Sequence, residues 1–394
     1  MKANTPILFI EINNYEFFFV AGEENENNYF KILHKISVPL QGVRNYQITD
    51  FDLFFNIIKN NIYIIERELN FTFNDVILII DNFNQSFVNL SGFKKLNGSQ
   101  ILKENITYIL NSLKSNIDEF ENKKTILHIF NSKYSLDKKK IDNIPVGLFG
   151  DLYSHELSFC LINNNDHKNL KNIFNKCNLR IKKILLKSFV ECSFISNKDQ
   201  KNHTFFLITI NENKSQIIFF KDDALVFEQS FNFGSDLVVA DVSKITFLNK
   251  EIVKNLISEE DLTNEDLIEK KYFKNENYRK IKKNLIFQIA KARIQEFSEL
   301  IINKNINLIS YHKKNTKIFL RISDKSMSKC IKESYNYFFS KNNYFKLEFI
   351  EDIETQDEMA SANQLVHYGW KKEAIPVIHS EKSIIARFFD IIFN

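Results

Sequence analysis

Three apolar runs open the chain, PILFIEI, YEFFFVAG and YFKILHKISV, separated by brief polar breaks. Their Ile and Phe content and short spacing predict three consecutive strands. FDLFFNIIKNNIYIIERELN then carries apolar residues at helical spacing, and VILIID (76–81) reads as a buried strand. Residues 99–119 suit a helix, TILHIF (125–130) and ELSFCLI (156–162) suit strands, and DNIPVGLFG lies between those two as a loop. A helix is expected over 165–178, followed by IKKILLKSFV.

A second cycle begins near residue 204. TFFLITI, SQIIFF and ALVFEQSF again give three strands in a row, followed by helical NLIFQIAKARIQEFSELI (284–301), buried KIFLRI and helical SMSKCIKESYNYFF. The chain thus repeats one layout, a three-stranded meander followed by helix and strand, without a residue-by-residue repeat. Its 394 residues exceed what one simple core holds and predict two or more domains.

Composition changes this picture little. Hydrophobic content of 44% and charged content of 26% are ordinary for a folded protein. The net charge of +4 does not indicate a nucleic-acid partner, and Lys138–Lys140 reads as a solvated face. No two of the four cysteines stand at metal-ligand spacing, so zinc is not expected. The opening MKANTPILFIEINN lacks the apolar core and cleavage site of a signal peptide, which makes cytoplasmic thiols the expectation. Abundant Asn, Lys, Ile and Phe fit drift in an AT-rich genome, and with only 8 glycines the position of each becomes informative.

Several segments resemble one family in that family's order. ILHIFNSKYSLDKKKIDNIPVGLFGDLYSHELSFCLI is similar to a stretch of FtsA with an NPVGLSG-type loop. FGSDLVVADVSKITFLNKEIVK resembles its Gly-Gly-Asp turn with the Asp-Ile pair and Glu-x-x-Lys that follow. NLIFQIAKARIQEFSELI resembles its helix with Arg-x-x-Glu, and ASANQLVHYGWKKE its closing GLLHYG element. FtsA is an actin-like bacterial cell-division protein that tethers FtsZ filaments to the inner membrane and helps recruit later division proteins.

The resemblance implies an α/β chain of the actin/Hsp70/sugar-kinase superfold, with two lobes around a nucleotide cleft. Subdomain 1A would span 1–82 plus 156–200, with 1C inserted at 83–155. Subdomain 2A would span 201–241 plus 305–370, with 2B inserted at 242–304. A linker (371–380) and an amphipathic helix (381–394) would close the chain.

The family cradles ATP and Mg²⁺ in three turns, two Gly-rich loops whose backbone N–H groups approach the phosphates and a third Gly-Gly turn against the adenosine. Here the first turn reads Glu11-Ile12-Asn13-Asn14-Tyr15, the second Thr209-Ile210-Asn211-Glu212-Asn213-Lys214, and the third Arg321-Ile322-Ser323. One carboxylate survives at Glu11, but no glycine falls in any of the three turns. Gly234, Asp241, Glu251 and Lys254 match positions near the sugar and base. The expectation is lost ATP hydrolysis and weak or absent ATP binding, hence no enzyme. A working ATPase or sugar-kinase-like enzyme is the competing class, and a scaffold for another envelope machine such as type IV pilus assembly is a third.

Two partner sites are implied. Arg293 and Glu296 stand three apart on one helix face, where the family holds the FtsZ tail, although an exposed ion pair within the helix would give the same spacing. SIIARFFDIIFN (383–394) places Ile384, Ile385, Phe388, Phe389, Ile391, Ile392 and Phe393 over about half of a helical circumference. A 14-residue helix from Glu381 would be about 21 Å long, too short to cross a bilayer but able to lie in its interface. Docking on the protein's own core is the alternative for that face. Self-association and later divisome proteins complete the partners that the resemblance implies, at the cytoplasmic side of the inner membrane.

Overall fold

The computed structural model describes residues 5–374, apart from 26–28, 45–46, 82, 200, 260–261, 263, 274–276, 312–315 and 341–344. β1 (Ile7–Ile12), β2 (Glu16–Glu24) and β3 (Phe30–Pro39) form the first meander. A small hairpin, β4 (Val43–Arg44) and β5 (Gln47–Ile48), leads into α1 (Phe51–Leu69) and β6 (Asp75–Ile80). Asp50 caps α1 by accepting from Leu53 N, and Phe54, Ile58, Ile62 and Ile65 face inward at helical spacing.

An inserted unit follows, built from β7 (Ser86–Lys95), α2 (Lys103–Phe120), β8 (Lys124–Leu136), β9 (Lys139–Ile141) and β10 (Leu152–Asn163). Its sheet has the order β7-β10-β8-β9. Ile106, Ile109, Leu113 and Ile117 of α2 pack on Tyr153, Leu157 and Phe159 as a separate apolar cluster. The chain then returns through α3 (Asn164–Lys176), β11 (Arg180–Leu186) and α4 (Lys187–Lys198).

The second meander is β12 (Phe205–Ile210), β13 (Ser215–Lys221) and β14 (Ala224–Phe231). Helices α5 (Ser235–Thr246), α6 (Lys250–Glu259) and α7 (Lys283–Ser298) precede β15 (Thr316–Ile322), α8 (Ser328–Ser340), β16 (Phe345–Ile350) and α9 (Thr355–His367). The two five-stranded sheets have the orders β11-β6-β1-β2-β3 and β14-β13-β12-β15-β16. In each, the first meander strand is central, antiparallel to the second and parallel to the strand that follows the helical segment. Every residue of β12 is buried, which is why its sequence is a continuous apolar run rather than an alternation. One apolar cluster runs through both sheets and the helices between them.

Several elements depart from the sequence reading. β8 continues to Leu136, well past the expected end at residue 130, because β10 and β9 pair with its second half. β10 pairs with β7 and β8 from Leu152 onward, so a boundary at 155/156 falls inside one strand of the inserted sheet. The helix expected from residue 99 starts at Lys103, since Ile101 donates its N–H to Leu148 O in the loop between β9 and β10. β7 and β16 were not anticipated. The expected linker from 371 is also corrected at its start. Asn131 donates to Lys372 O and Ala374 donates to Ile129 O, both at 2.7 Å, so this stretch lies as a short edge on β8. Its Glu373 carboxylate reaches His128 Nδ1 at 2.7 Å and Lys183 Nζ at 2.6 Å, which fixes it there.

Candidate functional site: the cleft between the two sheets

The three turns singled out in the sequence converge at one end of the central strands. In the β1–β2 turn, Asn13 Oδ1 accepts from the N–H groups of Tyr15 and Glu16, each at 2.9 Å. In the β12–β13 turn, Asn211 donates its N–H to Lys214 O, while Asn211 O and Glu212 O accept from Ser235 N and Asp236 N. Ser323 N donates to Ile210 O at 3.1 Å. These N–H groups are therefore satisfied within the protein, including the first two of α5, whose helix N-terminus would otherwise attract an anion. Gly234 permits the arrangement: a Cβ there would lie 2.2 Å from Asn211 O and 2.4 Å from Glu212 O.

Charged side chains fill the floor below the turns. Lys187 Nζ lies 2.5 Å from Glu11 and 3.6 Å from Glu358. Arg321 donates to Glu191 at 2.8 Å and to Thr209 Oγ1 at 3.1 Å. Glu191 belongs to α4 beside the first sheet and Arg321 to β15 of the second, so this buried pair crosses between lobes. Burial pushes the Glu358 carboxyl up to about 8, against the pull of Lys187. Burial works against the Lys187 charge, yet Glu358, Glu11 and Glu191 together hold its pKa above the ordinary lysine value. Asp81, at the end of β6, is also raised by burial.

A cavity of about 260 Å³ remains, lined by Asn13, Asp81, Lys187, Glu191, Arg321 and Glu358 among others. A second, of about 420 Å³, opens beside Tyr15, Val43, Phe83, Asn213, Lys214 and Asn232. These residues are a poor match to Mg-ATP: a triphosphate needs free N–H donors and positive charge, whereas here the donors named above are used and Lys187 and Arg321 are paired with carboxylates.

The remaining sequence candidates are distributed as follows. Asn14 lines both cavities, and Ser323 lines the smaller one. Lys254 reaches Asp236 at 2.9 Å and Glu212 at 3.7 Å, so it neutralises the second turn. Glu251, exposed in the first turn of α6, donates its backbone N–H to Asn249 Oδ1 and does not line either cavity. Arg293 on α7 bonds Asp241 of α5 and lies 2.5 Å from Glu296, which places the ion pair within the helix and ties Asp241 to it. Ile384, Ile385, Phe388, Phe389, Ile391, Ile392 and Phe393 lie outside the described residues. Among the described residues, no helix is long and apolar enough to cross a membrane.

Lys187, Glu191 and Glu358 were not anticipated as site residues, and Arg321 was named only as part of the third turn. Their trace in the sequence is slight. Lys187 and Glu191 stand four apart in the otherwise apolar LKSFVEC, and Arg321 interrupts the buried strand KIFLRI.

No family model matches the chain, and no curated protein matches it in sequence. Among solved structures, one described as the PilM-PilN type IV pilus biogenesis complex aligns at a TM-score of 0.55 and 9% identity, covering 92% of this chain and 98% of that one. A Bacteroides thetaiotaomicron protein described as having an actin-like ATPase fold and unknown function gives 0.40 at 11% identity, over 92% and 97% of the two chains. MreB5 of Spiroplasma citri bound to ADP gives 0.42 at 10% identity, over 92% and 96%. With its twin five-stranded sheets in matching order, the chain has the actin-like ATPase fold.

Proposed function

We propose that the chain is an actin-like adaptor that holds FtsZ filaments at the cytoplasmic face of the bacterial inner membrane, at the division site, and works without turning over ATP. The observation that carries this reading is the cleft. Glu11–Lys187–Glu358 and Glu191–Arg321–Thr209 fill the floor where a nucleotide's phosphates would sit, and in the surrounding turns the N–H groups of Asn13, Tyr15, Glu16, Asn211 and Ser323 are bonded internally. An actin-like body without a phosphate site suits a scaffold better than an ATPase or sugar kinase. The choice of partner rests on the ordered motifs that resemble FtsA and on the Ile- and Phe-rich 383–394 segment. Seven large apolar side chains would supply a gross burial of roughly 10–20 kcal/mol in lipid, from which ordering and immobilisation subtract much.

Sedimentation with anionic vesicles and FtsZ filaments tests the whole reading. The wild type is expected to bring filaments down with the vesicles, equally with and without Mg-ATP. Phe388→Glu with Phe389→Glu should abolish pelleting of both. Filament recruitment that requires ATP would reject the nucleotide-independent part. Vesicle binding without filament recruitment would reject the FtsZ part.

A second reading is a scaffold of pilus assembly. The alignment of 92% of this chain with the PilM-PilN complex favours it. Vesicle-bound protein that ignores FtsZ but captures an inner-membrane pilus-assembly protein would select it.

A further inference from the structure

A turn in the inserted unit presents apolar side chains to solvent. Residues 144–149, in the loop between β9 and β10, lie against residues 100–102, which lead into α2. Gly147 donates its N–H to Ile101 O at 2.9 Å, Ile101 donates to Leu148 O at 2.8 Å, and Gln100 Nε2 donates to Gly147 O at 2.7 Å. Leu148 N–H closes the turn on Pro145 O, with Gly147 at φ +91° in the position that needs a left-handed residue. Ile101 and Pro145 are buried and anchor it. Leu102, Ile144, Val146, Leu148 and Phe149 are exposed, Phe149 to 70%. Hydrogen bonds thus hold in place an apolar surface that the body of the fold does not bury, the mark of a docking site.

The end of the described chain lies beside this surface. Lys372 Nζ donates to Asp142 O at 3.0 Å and stands 4.7 Å from the centre of the Tyr134 ring. Ala374 belongs to the same apolar cluster as Ile101. Counting two residues back to Lys372, one lysine side chain, and two residues on from Asp142, Ala374 lies within roughly 25 Å of Ile144. Residues 375–383 can reach about 30 Å when extended. Pro376 has no N–H with which to continue the pairing along β8. The Ile- and Phe-rich segment 383–394 follows, tethered at the effective concentration, on the order of millimolar, that a short linker gives.

We propose that segment 383–394 docks its Ile and Phe face on this surface while the protein is away from the membrane. One face cannot lie on Leu148 and Phe149 and in lipid at once, so docking and membrane binding exclude each other. A docked tail weakens the apparent affinity for lipid in proportion to the fraction of molecules whose tail is free. This consequence rests on the membrane-anchor part of the proposed function, whereas the docking itself does not.

Amide exchange of the full chain without vesicles tests the docking by itself. In Phe388→Glu with Phe389→Glu, residues 100–103 and 144–149 should exchange about three- to tenfold faster than in the wild type, as a docked population of about 70–90% requires. Both substitutions lie beyond Ala374 and outside the packed body. Equal exchange would overturn the proposal, and so would a difference that grows with protein concentration, which would assign the surface to a second copy of the chain. In vesicle sedimentation, Leu148→Ser with Phe149→Ser should reach half-binding at about three- to tenfold less lipid than the wild type. Unchanged binding would count against docking, and weaker binding would place the surface itself in lipid and overturn it. If the wild type does not bind vesicles, the anchor reading falls while the exchange comparison still decides the docking.

Discussion

Gly234 shows how closely the second turn and α5 approach each other. Its φ of −153° is extended backbone that any residue adopts, so only the contact with Asn211 O and Glu212 O demands glycine. Gly234→Ala should destabilise the fold by about 1–3 kcal/mol, as overpacking does, measured by urea unfolding. Gly234 was legible as a special position, because glycine is scarce here and its neighbours carry a motif. The absence of glycine from the three turns of the cleft was legible too. The side chains that took over the cleft were not. Glu11, Lys187, Arg321 and Glu358 are separated by up to about 350 positions in sequence, and only the packing of β1, α4, β15 and α9 makes them neighbours.

Between residues and lobes stands the segment from Trp370 to Ala374. Trp370 Nε1 donates to Asp223 O at 2.6 Å, and Lys371 reaches the Asp223 carboxylate at 2.7 Å, so the segment touches the β13–β14 turn of the second lobe. Its Glu373 then bonds His128 of β8 and Lys183 of β11. Burial raises the Glu373 carboxyl, but the bonds from His128 and Lys183 prevail and hold it below the usual carboxylate range. Glu373→Ala should cost about 1–3 kcal/mol by leaving those buried donors without an acceptor. Amide exchange at Asn131 should accelerate, since its N–H bonds Lys372 O. Sequence pattern misread the start of this segment as linker, because an edge of three residues is too short for any periodicity. It found α1, β1 and β12 because a long apolar stripe or run announces them. It missed β7, where Asn89, Ser91 and Gly92 dilute the strand signal.

At the scale of the molecule, the duplicated sheets were readable because three successive apolar runs precede the helices in each cycle. Their joining was not readable, since it depends on contacts such as Glu191–Arg321 across lobes. In a nucleotide-dependent relative of this architecture, ligand binding to the closed form would raise its stability by mass action. On the proposed reading, the protein's own ion pairs occupy that position here. Mg-ATP at millimolar concentration is therefore expected to leave the thermal midpoint unchanged. Calorimetry checks this, and an upward shift of several degrees would show that a phosphate site persists.

The attachment of Lys372–Ala374 to β8 has a mechanical consequence. Twenty further residues continue from Ala374. Any force they transmit enters the body at a seam where β8, β11 and the Asp223 turn meet, not at the end of α9. Tension on that end of the chain would strain the joint between the lobes before it reached either sheet's interior.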